Sequence, residues 1–377
     1  MNLYKRLPLS TEDQSFRLLE LDLSSDTASA EEAIVRGRLD TYDLRDGLDY
    51  DALSYTWGSK EESVHIRLNE EWFPASHNLH EALQQLRIDQ RKATKPRKLW
   101  IDAVCINQSD NAEKSHQVML MRDIYANACR VLVWIGEPDN LSTLAFDTLE
   151  RFAIDDGTPD GSATYLDIQD TVKERKEAIR LFIERPYFFR MWVIQEVVVA
   201  RSVTVFCGSW SIDFDKLHIA MQRMTGSGFF PFSGATTNLT YVGNWRASYL
   251  EMNALEMEEN LDLRLFLDSR DRNATDPRDK IYSLRGIANK ELAVGIKVNY
   301  DDSVEKVYTD FSKHVLSIRP DLQILSAIIL RHRKTSNLAL PSYVPDWSLP
   351  KYGGGFLQRY YRFKPTHLFR TAGPTIP

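Results

Sequence analysis

The sequence predicts an α/β protein built on a largely parallel sheet flanked by helices. Short apolar runs at 50–58, 98–108 and 131–136 read as buried strands, and amphipathic patterns at helical spacing separate them. The composition is that of a globular chain, with 43% hydrophobic and 27% charged residues. At 377 residues the chain has room for two to three structural units.

Residues 14–22 and 33–44 alternate on either side of a polar connection at 24–32, which predicts a leading strand pair. The run from Tyr50 to Gly58 is the first buried strand, feeding a turn. Val64 to Leu68, then Asn69-Glu70, then Trp72-Phe73 predict a hairpin after it. Leu79, Ala82, Leu83 and Leu86 recur at helical spacing behind Asn78, a suitable N-cap, giving a helix over about 79–90. A basic linker at 91–98 leads to the second strand, with Asp102 in its middle and a polar end at Asn107-Gln108. Ser109-Asp110 offer caps to a helix over about 111–128, carried by Val118, Met121, Tyr125 and Ala128. The third strand, Val131 to Gly136, follows directly.

Helical patterns then cover about 141–153 and 171–185, with a loop at 155–162 between them. Residues 186–200 are apolar on nearly every side; Val197 to Val199 would suit a strand, but the length favours a buried helix. Val203 to Cys207 is a fourth strand. The Gly-, Ser- and Thr-rich segment 226–243 reads as a long loop and candidate boundary, with helical patterns at 245–269 and 303–318 beyond it. The expected division is 1–210, an α/β core with an N-terminal strand extension, and 211–377, a mainly helical α+β region packed on that core.

The formal charge of −6 gives the whole chain no attraction for nucleic-acid phosphates or anionic lipid. Cys105, Cys129 and Cys207 form no CxxC pair, which argues for a reducing compartment and against a disulfide framework or zinc ribbon. The N-terminus lacks the apolar core of a secretory signal, and no apolar stretch approaches the eighteen or so residues of a membrane span. A cytoplasmic protein without a metal site is expected.

In an open parallel sheet, ligands bind at the carboxyl ends of the strands. Ser54, Tyr55, Trp57 and Gly58 fall at the first such end, and Asp102, Asn107 and Gln108 near the second. Glu196 lies in a run of Met, Trp, Val, Ile and Ala, where an ionised group is costly unless partnered. One reading is a structural ion pair with Arg190 or Arg201. The other uses its position one helical turn after Trp192, an aromatic shelf beside a carboxylate that suits a ribose hydroxyl and a developing oxocarbenium cation. Cys105 reads as core rather than nucleophile. His77 and His80 have no partners at metal spacing. Arg331 to Lys334 is a short basic stretch, best read as a solvated loop. Trp57-Gly58-Ser59-Lys60 lacks the rest of a phosphate loop.

With these residues assembled, the sequence resembles the fungal heterokaryon incompatibility (HET) domain family. An aromatic residue followed by ALSYxWG appears as Tyr50 and Ala52 to Gly58, LWIDAxCINQ as Leu99 to Gln108, QVxxMxxIYxxA as Gln117 to Ala128, and RPxFxRxWVxQE as Arg185 to Glu196. DPRDKIYxLxGIA at Asp276 to Ala288 and LPSYVPDW at Leu340 to Trp347 resemble extended members. The family is similar in turn to TIR domains, flavodoxin-like modules whose SxWCxxE motif carries a catalytic glutamate. Here Trp192 and Glu196 keep that spacing, with Arg190 for the serine and Val193 for the cysteine. The resemblance implies regulated cell death after non-self recognition, by cleavage of NAD at the nicotinamide–ribose bond. Glu196 would be catalytic, and Ser54, Tyr55, Trp57, Gly58, Asp102, Asn107 and Trp192 would bind NAD, a substrate rather than a cofactor. Self-association and a protein trigger go with that reading. A non-catalytic signalling or assembly module is the alternative.

Overall fold

Among the described residues, nine strands form one mixed sheet in the order β5-β4-β2-β1-β6-β3-β7-β8-β9. They are β1 (Ser15–Leu21), β2 (Arg36–Asp43), β3 (Asp51–Tyr55), β4 (Ser63–Leu68), β5 (Glu71–Ser76), β6 (Arg97–Trp100), β7 (Arg130–Trp134), β8 (Val203–Cys207) and β9 (Trp210–Asp213). The computed structural model describes residues 3–22, 34–58, 63–89, 97–154, 157–158, 160–230, 234–251, 263–319, 321–328 and 336–349. The connection at 24–32, Ser59-Lys60, most of the basic linker and Arg331 to Lys334 lie outside the described residues.

The four predicted strands are neighbours and parallel, β6-β3-β7-β8, so in chain order they run second, first, third, fourth. That is the beginning of the flavodoxin-like strand order, whose switch point lies between the first and third strands, here β3 and β7. Asp51 ties the amino ends of three of them, with Arg97 Nε at 3.4 Å and Arg130 Nε at 3.1 Å from its Oδ2. β1 and β2 are the predicted antiparallel pair, and β1 joins the parallel block through β6. β4 and β5 are the predicted hairpin, turned at Asn69 and Glu70, both in the left-handed region at φ of 48° and 65°.

Four expectations of local structure are corrected. β6 ends at Trp100, and Asp102 opens a helical turn, Asp102–Cys105, because the Cys105 amide donates to the Ile101 carbonyl at 2.7 Å instead of continuing a ladder. The helix after the hairpin begins earlier, at His77 (His77–Asp89), with the Ser76 hydroxyl accepting from the Leu79 amide; Asn78 is not its cap. The segment read as a loop over 226–243 contains most of a helix, Gly234–Glu251. Its weak helix propensity is overridden by packing: Leu239 and Val242 are buried, and the helix lies against Phe214–Gly226 and the helix that carries Glu196. Gly243 is needed for that approach, since a Cβ there would sit 2.2 Å from the His218 ring.

Asp110 caps the helix Asn111–Asn127 as expected, accepting from the amides of Ala112 and Glu113. The 186–200 segment is not one helix. It is a 3₁₀ turn, Pro186–Phe189, an extended Arg190, and a helix, Val193–Val198. Among the described residues no helix is long and apolar enough to cross a membrane, and no cluster of three or more His, Cys, Asp or Glu side chains could hold a metal ion.

Arg17 on β1 is fully buried and locks the outer strands to the turn after β6. It pairs with both Glu113 oxygens at 2.7 and 3.0 Å and donates to the carbonyls of Cys105 and Leu7 at 2.9 and 2.8 Å. Removing one partner strands the other charge. Arg17→Met is expected to cost about 3–5 kcal/mol in urea unfolding, and adding Glu113→Leu to recover part of that loss; a double variant less stable than Arg17→Met contradicts this.

Candidate functional site

The last residues of β3 and the 186–200 segment meet where the central strands end. Ser54 and Tyr55 are the final residues of β3, and both side chains are buried, one on each face of the sheet. The Ser54 hydroxyl donates to Glu196 Oε2 and accepts from the Tyr187 hydroxyl, 2.8 Å away. A serine has one proton to give, so Tyr187, Ser54 and Glu196 form a donor chain ending on the carboxylate. Tyr125 adds a hydroxyl that favours the charged form. Two residues invisible as candidates in the sequence, Tyr125 and Tyr187, are thus part of the site. Each lay at a position that reads as core, and the hydroxyl was the signal.

Glu196 is 1% exposed. Burial, reinforced by the Asp102 carboxylate, pushes its pKa up to about 7 against the pull of Arg190, Ser54 and Tyr125. The ion pair considered for Glu196 is not formed among the described residues. Arg201 is exposed and donates to Asn127, while Arg190 donates to the Tyr55 carbonyl and acts on Glu196 and Asp102 through space.

Asp102 accepts the Trp57 indole N–H on both oxygens, at 3.1 and 3.0 Å, which fixes the ring over the turn that follows β6. Burial raises its pKa, with Arg190 and Trp57 opposing. Trp57, Asp102, Arg190 and Trp192 are each half-buried, so groups around the sealed Glu196 reach solvent while Glu196 does not. Gly58, three residues past the end of β3, has a φ of 77°, in the left-handed region, and is exposed. Asn78, passed over as a cap, bridges two strand ends instead: it donates to the Thr56 carbonyl at 2.6 Å and accepts from the Trp134 indole at 2.8 Å.

Two candidates are engaged elsewhere. Asn107 accepts from the Ser109 amide, and its own amide donates to Glu113, so its hydrogen bonds build the turn before Asn111–Asn127. Trp192 donates to Asp279 at 3.0 Å, a residue from the far half of the sequence. Cys105 is core as read: it is fully buried, and burial pushes the thiol up to about 12.

The stability consequence has a definite sign. Glu196 in the folded chain holds its proton up to about pH 7, against an ordinary value of 4.5, so its contribution is fully present below 4.5 and lost as pH rises through 7. Glu196→Gln keeps an acceptor for Ser54 and removes the charge. It is expected to exceed wild type by up to about 3 kcal/mol at pH 8 and to match it near pH 4.5. Melting curves at the two pH values check this; an equal gain at both contradicts it.

Residues 50–196 match the family model described as heterokaryon incompatibility protein (HET). The chain is also 29% identical over 362 residues to heterokaryon incompatibility protein 6, OR allele, of Neurospora crassa, covering 79% of this chain and 53% of that protein. It therefore spans about half the length of that relative, and the likeness extends beyond the residues of the family model. No solved structure matches the chain. With Tyr50 opening the matched span and Glu196 closing it, residues 50–196 are similar to the heterokaryon incompatibility (HET) domain.

Proposed function

We propose that this HET-like domain acts in fungal non-self recognition leading to cell death, and that it does so by cleaving NAD or a related nucleotide at the nicotinamide–ribose bond. The observation that carries the reading is the charge environment of Glu196. A buried carboxylate with a pKa near 7 stands at the end of the central strand, beside a second carboxylate, Asp102, and a half-buried guanidinium, Arg190. Shifted ionisable groups gathered at a strand end are what a catalytic site requires.

Departure of nicotinamide leaves positive charge on the ribose, and water then adds at the same carbon, releasing a proton. Glu196, ionised and away from bulk solvent, stabilises that charge and orients the sugar hydroxyls. Because Glu196 is sealed, substrate entry requires Arg190 to leave the Tyr55 carbonyl, which places the guanidinium where it can meet the diphosphate. Trp57, steadied by Asp102, offers a flat face to a leaving ring or an adenine. Self-association and a protein trigger would supply the opening.

The second reading, a non-catalytic signalling or assembly module on the same fold, is favoured by one observation. Glu196 is 1% exposed, and the described cavities of about 300 and 550 Å³ lie among residues 270–346 instead. The two readings separate on incubation of the purified chain with NAD. Nicotinamide release is expected to rise with pH through about 7 as Glu196 ionises. Glu196→Gln should lower it roughly 10²–10³-fold, and Cys105→Ser should retain most turnover. Equal consumption of NAD by wild type and Glu196→Gln, or none by concentrated wild type, leaves the assembly reading.

A further inference from the structure

The segment that carries Glu196 is gripped along its length by residues from the far half of the chain. Before its helix, the Met191 amide donates to the Asn273 carbonyl at 2.8 Å and the Asn273 amide donates to Phe189 at 2.5 Å, a one-residue bridge. Arg272, 2% exposed, donates to the carbonyls of Phe188 and Arg190 at 3.0 and 3.3 Å. At the helix start, Asp279 accepts the Trp192 indole N–H at 3.0 Å on one oxygen and the Tyr300 hydroxyl at 2.6 Å on the other. In mid-helix the Gly286 amide donates to Gln195 Oε1 at 3.2 Å, an approach only glycine permits, since a Cβ would sit 2.2 Å from that oxygen. At the helix end Arg246, 1% exposed, donates to the carbonyls of Val197 and Ala200 at 3.0 and 2.5 Å. A six-residue helix cannot hold its own place in water, and its free terminal carbonyls need donors.

We propose that Arg246 and residues 270–286 are a positioning clamp for the Glu196 segment, in which Asp279 is the positioning residue that fixes Trp192 through its indole N–H. The DPRDK run, Asp276 to Lys280, then has a defined task. Lys280 donates to the carbonyls of Arg270 and Arg272, holding the clamp backbone, and Arg278 pairs with Asp276 and donates to the carbonyls of Tyr300 and Asp302. The clamp does not depend on what the HET-like domain binds.

The grip is also sensitive to pH. Burial, together with Asp276, pushes the Asp279 carboxyl up to about 6, while the Tyr300 and Trp192 hydrogen bonds and Lys114, whose ammonium lies 3.8 Å from the centre of the Tyr300 ring, pull it down. Above pH 6 the carboxylate accepts from both donors; below it, a proton on one oxygen competes with them.

The test uses the full chain labelled with ¹⁵N at tryptophan indoles, the Trp192 signal being the one lost in Trp192→Phe. That signal is expected to move with a midpoint near pH 6 in wild type and in Glu196→Gln, and to stay fixed in Asp279→Asn. Hydrogen exchange of amides 189–200 is expected to quicken at least tenfold in Asp279→Ala, with β7 unchanged, and to return most of the way to wild type in Asp279→Asn, which keeps an acceptor. If Asp279→Ala does not fold, Trp192→Phe, which keeps an aromatic ring but loses the N–H donor with the rest of the pyrrole ring, should give the same quickening. A Trp192 signal that titrates equally in Asp279→Asn overturns the proposal, as does unchanged exchange over 189–200 in the variants. Because neither readout uses NAD, failure here is distinct from failure of the enzymatic reading.

Discussion

Burying a carboxylate at the end of the central strand is the constraint around which this molecule is arranged. Glu196 cannot be left bare in an apolar segment, and the fold answers with donors from three separate elements: Ser54 from β3, Tyr125 from the helix Asn111–Asn127 and Tyr187 from the turn ahead of the Glu196 helix. Each element must therefore be in register to a fraction of an ångström. The parallel pairing of β3 with β7 sets Ser54 opposite Val133, and the Tyr50 hydroxyl, bonded to the Ile124 carbonyl at 2.6 Å, sets the helix beside it. The arrangement couples the sheet to the site.

Charge balance explains the second tier. Arg190 acts on both Glu196 and Asp102, lowering both carboxyls, yet is bonded to a backbone carbonyl rather than to either of them. A direct ion pair would have neutralised Glu196 and pulled its pKa far down. Holding the guanidinium on the Tyr55 carbonyl leaves the carboxylate hydrogen-bonded but electrostatically unfinished. The same pattern recurs at Asp279, which accepts two neutral donors and no cation.

The parallel strands, the hairpin and most helices were legible because each is written locally, in alternation, helical spacing or a turn pair such as Asn69-Glu70. Glu196 and Ser54 were legible for a related reason: a polar residue in an apolar run stands out, and strand ends are where ligands gather. What the sequence hid is non-local. Asp102 sits among apolar residues that read as strand, and the hydrogen bonds from the Val104 and Cys105 amides to the Ile101 carbonyl and from the Ile106 amide to the Asp102 carbonyl turn the chain into a helical step. The helix Gly234–Glu251 was hidden by its Gly and Thr content because its stability comes from the surfaces it packs against. Trp192 was placed beside Glu196 by helical spacing, yet its indole is claimed by Asp279, 87 residues away, a partner no local pattern announces.

Hydrogen bonding alone does not account for a glutamate at position 196. Ser54 needs an acceptor there, and a glutamine carbonyl would serve without the cost of a buried charge. The charge is therefore surplus to folding. With burial raising the carboxyls of Asp102 and Asp279 as well, three acidic groups in one region count against stability at neutral pH. On the proposed reading, such costs gathered around half-exposed tryptophans and an arginine not bound to either acid stand where a ligand's charge would meet them. The clamp fits this logic, because a costly carboxylate on a short helix keeps its place only when the neighbouring backbone is held from outside.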